Sequence, residues 1–168
     1  MKNSFCFSLT FLFYFNCCLS QEDSSIVITD SAYVISFEKL DSIIDNGKTY
    51  LGIKYVYAGR SPSGFDCSGL IHYMFKAYGI RISGTSLYLS KMGHKIPFEK
   101  IQKGDLLFFK ERDMSTSAIG HVAICTENKE GCLKMLHATK SGVMVDVFNE
   151  KSYYPKRYLF AIRFLKIF

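Results

Sequence analysis

The sequence predicts an α+β domain, with helices leading and a mostly antiparallel sheet of about five strands behind them. Three observations predict it. Apolar residues recur twice at helical spacing before Gly79. After Gly79 the period drops to two, or the apolar residues run on without interruption. Helical segments come first and strands afterwards, which opposes alternating βαβ units. At 168 residues, 48% of them hydrophobic and 21% charged, the chain holds enough apolar material for one domain with a sizeable core. It shows no internal repeat, low-complexity tract or second domain.

Each element has its own signal. Lys2, an apolar run from Phe5 to Phe15 and the polar "SQEDSS" read as a secretory leader over 1–20, with Cys18 and Ser20 as the small residues before a cut ahead of Gln21. The run is too short to span a bilayer. A lipoprotein anchored at Cys17 or Cys18 is the variant of this reading, and Phe15 and Asn16 fit it poorly. The chain is therefore expected to be exported, periplasmic or secreted, and at a membrane only if lipidated. Residues 21–36 form an extended lead-in, because "SSIVITDSAYVIS" mixes β-branched and polar residues without helical period. Ser36 then offers an N-cap to a helix carrying Phe37, Leu40, Ile43, Ile44 and Leu51. "GIKYVYAGRSPSGFD" is loop-like, with Gly52, Gly59, Gly64 and Pro62. A second helix fits 67–78, where Leu70, Ile71, Met74, Phe75 and Tyr78 make one stripe and Gly79 stands at the C-cap. "DLLFF", "HVAICTE", "CLKMLHAT", "GVMVDVF" and "YLFAIRFL" are the five strands. The domain proper occupies 37–168.

Charge and cysteine usage narrow the function classes. A formal charge of +6 suits anionic polymers or surfaces. The lysines and arginines are scattered, however, without the basic stripe that nucleic-acid binding calls for, so no nucleic-acid partner is expected. Without residues 1–20 the cysteines are Cys67, Cys125 and Cys132. An odd number in an oxidising compartment leaves one thiol unpaired, and that thiol needs a reason to be there.

Cys67 is the candidate nucleophile. It opens the second helix, where free N–H groups and the macrodipole favour a thiolate and suit an oxyanion as well. An inert, buried helix-start cysteine is the alternative. A cysteine hydrolase also needs a base and a group that orients it. His72 points about 140° away from Cys67 around the helix, and His94 sits in a loop flanked by glycine and proline. His121 and His137 lie on strands flanking "NKEG". With Lys129, Glu130 and Gly131 as a three-residue loop, Asn128 faces Cys132 and His121 faces Thr139. His137 then lies diagonally on the His121 face, about 7–8 Å away between backbones. A two-residue loop would turn one imidazole to the other face. Two hydrogen-bonded strand-edge histidines, or a zinc site that includes Cys67, are the rival readings. The lack of CxxC or HExxH spacing opposes metal. The same register sets Cys125 opposite Met135 with Cys132 on the other face, which disfavours a disulfide and makes both packing residues.

Taken together, "YLGIKYVYAGRSPSGFDCSGLIHYMFKAYGI", "GDLLFF", "GHVAI" and "LHAT" resemble the NlpC-type bacterial cell-wall peptidases, which are papain-like cysteine enzymes. The resemblance covers about residues 37–165, and the order F-D-C-S-G-L, G-D-L, G-H-V is specific where each piece alone is weak. It implies a papain-like fold, with the cysteine on a helix packed against an antiparallel sheet. It further implies Cys67 as nucleophile, His121 as general base and His137 as the polar residue that orients it. The implied reaction is cleavage of peptidoglycan stem peptides, commonly between γ-D-glutamate and a diamino acid, meso-diaminopimelate or Lys. Tyr55, Asp66 and Ser68 match positions lining the subsite before the cut, and an Asp there pairs with a free L-Ala amine in members that trim released stem peptides. No cofactor is implied, and the partner is peptidoglycan or a muropeptide. Tyr57 and Ala58-Gly59 depart from the family's usual Trp and paired glycine, and "KERDMSTSAI" is long enough to form a loop beside the site. Two rivals stand against this reading. A papain-like amidase or acyltransferase on another amide or lipid would want an apolar groove. A non-catalytic binder of wall fragments would have no need of all three site residues.

Overall fold

The structure, a computed structural model, describes residues 27–29, 32–82, 84–149 and 153–168. The expected leader over 1–20, with Cys17 and Cys18, lies outside these residues. No described helix is long and apolar enough to cross a membrane.

What is described of the lead-in forms two strands, β1 (Val27–Thr29) and β2 (Ala32–Ile35), paired antiparallel. Helix α1 (Phe37–Lys48) starts where its cap predicts, Ser36 Oγ accepting from the Lys39 N–H at 3.3 Å. Leu40, Ile43 and Ile44 form its buried stripe, whereas Phe37 and Leu51 are more than half exposed. Thr49 ends the helix, its hydroxyl donating to the Asn46 carbonyl at 2.7 Å, so Leu51 falls outside it.

The following loop is broken by a two-residue hairpin, β3 (Arg60–Ser61) and β4 (Gly64–Phe65). Helix α2 (Cys67–Lys76) then opens with Cys67 as its first residue. Asp66 is the N-cap, Oδ1 accepting from the Gly69 N–H at 2.6 Å and from Ser68 Oγ at 3.0 Å. The helix ends two residues short of Tyr78, where Gly79 turns the chain at φ 78° and the Ile80 N–H returns to the Phe75 carbonyl at 3.1 Å. Leu70, Ile71, Met74 and Phe75 are fully buried, each contributing about 2 kcal/mol. The first turn lies flat against the preceding loop, because a methyl group at Gly69 would overlap the Gly59 carbonyl. That same carbonyl accepts from the Asp66 N–H at 2.9 Å.

A short α3 (Ser86–Leu89) leads to the main sheet. Its strands are β5 (His94–Ile96), β6 (Leu106–Lys110), β7 (Ile119–Lys129), β8 (Cys132–Thr139), β9 (Gly142–Phe148) and β10 (Tyr158–Arg163). They lie in the order β5-β10-β6-β7-β8-β9, with every neighbouring pair antiparallel. β5 adds an edge strand where the sequence reads as a loop around His94. The last apolar run divides at Phe164. Beyond it β11 (Leu165–Ile167) leaves the main sheet and runs parallel to β2, forming a sheet β1-β2-β11.

Both faces of the main sheet are covered. Leu106, Phe108, Val122, Ile124 and Leu136 pack with α1 and α2, while Leu107, Phe109, Ala123, Cys125 and Met135 lie under Phe148, Tyr154 and Tyr158. That is why "LLFF" and "VAIC" are continuous apolar runs. Asp105, next to Gly104 at φ 92°, is 1% exposed and takes the Arg163 Nε and Nη2 at 2.8 Å each, joining the start of β6 to β10.

The turn between β7 and β8 corrects the sequence reading. Lys129 pairs with Cys132, so the loop is the two residues Glu130 and Gly131, not three. Both have positive φ, 52° and 79°, the geometry of a tight hairpin turn whose twist matches its strands. Alone, that turn would send His121 and His137 to opposite faces. A bulge restores them: Glu127 faces Lys134 but Cys125 faces Met135, leaving Thr126 as one extra residue on β7. Cys125 therefore still opposes Met135, as expected, although the turn differs.

Candidate active site

The sulfur of Cys67 meets three backbone N–H groups, those of Val122, Ser68 and Cys67 itself, each of which favours the thiolate. Burial outweighs them. With the residue 7% exposed, desolvation, seconded by the Asp66 charge, pushes the thiol up to about 11. The helix start therefore does not yield a resting thiolate, contrary to what position alone predicts. The contact with Val122 also puts the sulfur beside the peptide that follows His121.

The three expected subsite residues gather around the same helix start. Tyr55 bridges to Phe65 at the end of β4. Burial raises its hydroxyl pKa, and the nearby Cys67 and Asp66 charges raise it further. Ser68 is buried and donates to Asp66, whose Oδ1 is spent on the cap. Beside Tyr55, Tyr57 is 88% exposed and Ala58 takes a left-handed φ of 58°, a conformation that favours glycine.

A second bulge aims His121. Phe109 faces His121 but Lys110 faces Ile119, which leaves Gly120 as the extra residue, and a methyl group there would strike the Glu111 backbone. The glycine of G-H-V thus brings the β6 end and His121 together. His121 Nε2 lies 2.9 Å from His137 Nδ1, and His137 Nε2 lies 3.1 Å from Asp146 Oδ2. This chain of bonds assigns the protons. A carboxylate only accepts, so His137 Nε2 carries a hydrogen and its Nδ1 is an acceptor. His121 therefore donates from Nε2, and its Nδ1 keeps a free lone pair. Burial, and then His137, push His121 down to about 3, so the imidazole is neutral. His137, fully buried, is also held below its ordinary value by burial, against the opposing pull of Asp146. Tyr154 covers both rings at centroid distances of 6.3 and 5.0 Å. Its hydroxyl, raised by burial, shares the Asp146 carboxylate.

The arrangement offers a thiol among N–H donors and a neutral imidazole whose Nδ1 has no hydrogen-bond partner among the described residues. A pocket of about 400 Å³ opens beside it, with Tyr55 and His121 among its lining residues. His72 and His94 stand apart. His72 Nδ1 bonds to the Ile82 carbonyl, and His94 is exposed opposite Arg163 on β10. Asp146 and Tyr154 escape a reading of the sequence. The available signal for Asp146 is an acid inside the apolar strand "GVMVDVF", but its partner emerges only once His137 pairs with Met144, two residues away.

A family model described as the NlpC/P60 family matches residues 52–163. Gamma-D-glutamyl-L-lysine dipeptidyl-peptidase of Bacillus cereus is 37% identical over 107 residues, covering 64% of this chain and 31% of that protein. Murein DD-endopeptidase MepS/Murein LD-carboxypeptidase of Escherichia coli is 30% identical over 125 residues, covering 73% of this chain and 62% of that protein. Among solved structures, an NlpC/P60 family protein from Bacillus cereus superposes with a TM-score of 0.64 at 35% identity, over 76% of this chain and 40% of that one. The chain spans about a third of the length of the Bacillus relatives it matches.

Proposed function

We propose that this chain, which belongs to the NlpC/P60 family, is a cysteine peptidase that hydrolyses peptidoglycan stem peptides on the amino side of a diamino acid. The observation that carries the reading is the bond sequence from Asp146 through His137 to His121, which leaves His121 Nδ1 as a base next to the peptide that Cys67 touches. Support for the scissile bond comes from relatives. The Bacillus cereus enzyme is named for γ-D-glutamyl-L-lysine, and the Escherichia coli enzyme for other murein bonds. We assign the bond between γ-D-glutamate and the diamino acid.

In this mechanism Cys67 Sγ attacks the γ-D-glutamyl carbonyl as its proton passes to His121 Nδ1. Thiol and imidazole start neutral, so attack and proton transfer coincide. The new imidazolium donates from Nε2 to His137, which Asp146 holds in the accepting tautomer. N–H groups of the first turn of α2, that of Cys67 among them, receive the oxyanion. The C–N bond breaks as His121 returns its proton to the departing amine, leaving a thioester on Cys67. Water, deprotonated by His121, hydrolyses the thioester, releases the γ-carboxylate and restores the thiol. Tyr55, Asp66 and Ser68 hold the residues before the cut. Asp66 Oδ2, not engaged in the cap, receives a free amino terminus. The working place of such an enzyme is outside the cytoplasm.

Mass spectrometry of products from sacculi and from free stem peptides tests the assignment, with Cys67→Ala as control. Cleavage after γ-D-glutamate that the substitution abolishes is the expected outcome. A folded protein that cleaves neither substrate removes the peptidase assignment.

A further inference from the structure

The charged wall of the His121 pocket comes from the end of β6, the loop after it, the end of β8 and the turn before β10. It consists of Lys110, Glu111, Arg112, Lys140 and Arg157. Four cations stand there against one carboxylate. Two of them are fixed into the loop. Lys110 Nζ donates to the Met114 carbonyl at 3.1 Å, and the Arg157 guanidinium donates to the carbonyls of Glu111 and Arg112 while lying 4.4 Å from the Tyr153 ring centroid. Glu111 itself accepts from the Thr116 hydroxyl at 3.3 Å. The Arg112 and Lys140 side chains are exposed and make no hydrogen bond or ion pair among the described residues. Among the described residues, none of the four cations forms an ion pair with a carboxylate.

Location gives this charge a meaning. His121 is the group that protonates the departing amine, so the residue carrying that amine lies against His121 and the charged wall, while Tyr55, which lines the same pocket, meets the residues before the cut. An open positive wall draws in carboxylates, and a guanidinium can take both carboxylate oxygens at once. A side chain ending in an ammonium group would instead meet four like charges. Among the described residues, Glu111 is the acid in this lining and already accepts a hydroxyl, while Asp113, farther along the loop near Lys110, accepts from Ser115.

We propose that this pocket is a carboxylate-binding site for the amine-side residue, with Arg112 and Lys140 as its contacting groups. The chain then selects stem peptides whose diamino acid bears a side-chain carboxylate over those bearing lysine. The inference rests on the peptidase reading above. It parts from the L-lysine in the Bacillus relative's name.

The test measures binding with the full chain carrying Cys67→Ala, so that no turnover intervenes. Three L-Ala-γ-D-Glu-X tripeptides are titrated calorimetrically at low and high salt, with X as meso-diaminopimelate, its side-chain amide or L-lysine. The diaminopimelate peptide should bind about tenfold tighter than either of the others, with a smaller advantage in high salt. The Arg112→Gln, Lys140→Gln double variant, changed only at exposed positions, should lose most of that advantage. Equal affinities, no binding of any peptide, or a preference that the double variant leaves intact would overturn the site. Cleavage by the Cys67 protein reads the peptidase assignment separately. Turnover of all three at equal kcat/KM would keep the peptidase and discard the carboxylate site.

Discussion

Asp146 governs which nitrogen of His137 carries a proton, and so which nitrogen of His121 is left bare. Replacing it with leucine strands the buried Nε2–H of His137 and frees both rings to change tautomer. Asp146→Leu should lower kcat by about a hundredfold with little change in KM on free stem peptides. Asp146→Asn keeps an acceptor in place and should lose far less. Equal losses in steady-state kinetics would mean that Asp146 matters for packing alone. This scale also shows what sequence conveys. Cys67, His121 and His137 are legible because motif and spacing announce them. The protonation of Cys67 is not, because a helix start argues for a thiolate while the burial that outweighs it is created by Val122 and its neighbours, distant in the chain.

For elements, periodicity carried well. β8 and β9 begin and end where their apolar runs do, α1 starts where its Ser36 cap predicts, and α2 starts at Cys67 as its apolar stripe suggests. What failed was the turn, since "NKEG" suits loops of two or three residues and φ at Glu130 decides between them. The shared face of the histidines survived through Thr126, an insertion that no alternation of polar and apolar residues betrays. Removing Thr126 should leave the two-residue turn with an unbroken ladder and rotate His121 away from His137. Hydrolysis should then fall at least about a thousandfold, while circular dichroism still reports a folded sheet. Retained activity would show that the bulge does not set the site.

For the whole molecule, the neutral imidazoles of half-buried His121 and fully buried His137 make stability depend on acid. The folded pKa of His121 is depressed from 6.5 to about 3. Below pH 6.5 the unfolded chain therefore takes up a proton that the folded chain refuses. Stability from this group is complete above pH 6.5 and drains away as pH falls toward 3, by an amount on the order of a few kcal/mol. His137 shifts in the same direction. Urea titrations at pH 7.5 and 4.5 should show the loss, and a His121→Asn variant should show less of it. At the alkaline end, Cys67 and Cys125, raised to about 11 and about 12, erode stability as pH climbs above 9.

Sheet topology adds a constraint in time. Tyr33 of β2 pairs with Leu165 of β11, so one of the first described strands finds its neighbour only when one of the last has been synthesised. Until then β2 has a single partner, β1, and a lone two-stranded ribbon is marginal in water. Until β11 emerges, the β1-β2 ribbon therefore lacks one of its sheet neighbours. The sheet β1-β2-β11 closes late, once β11 is released, while the six-stranded sheet does not wait for it.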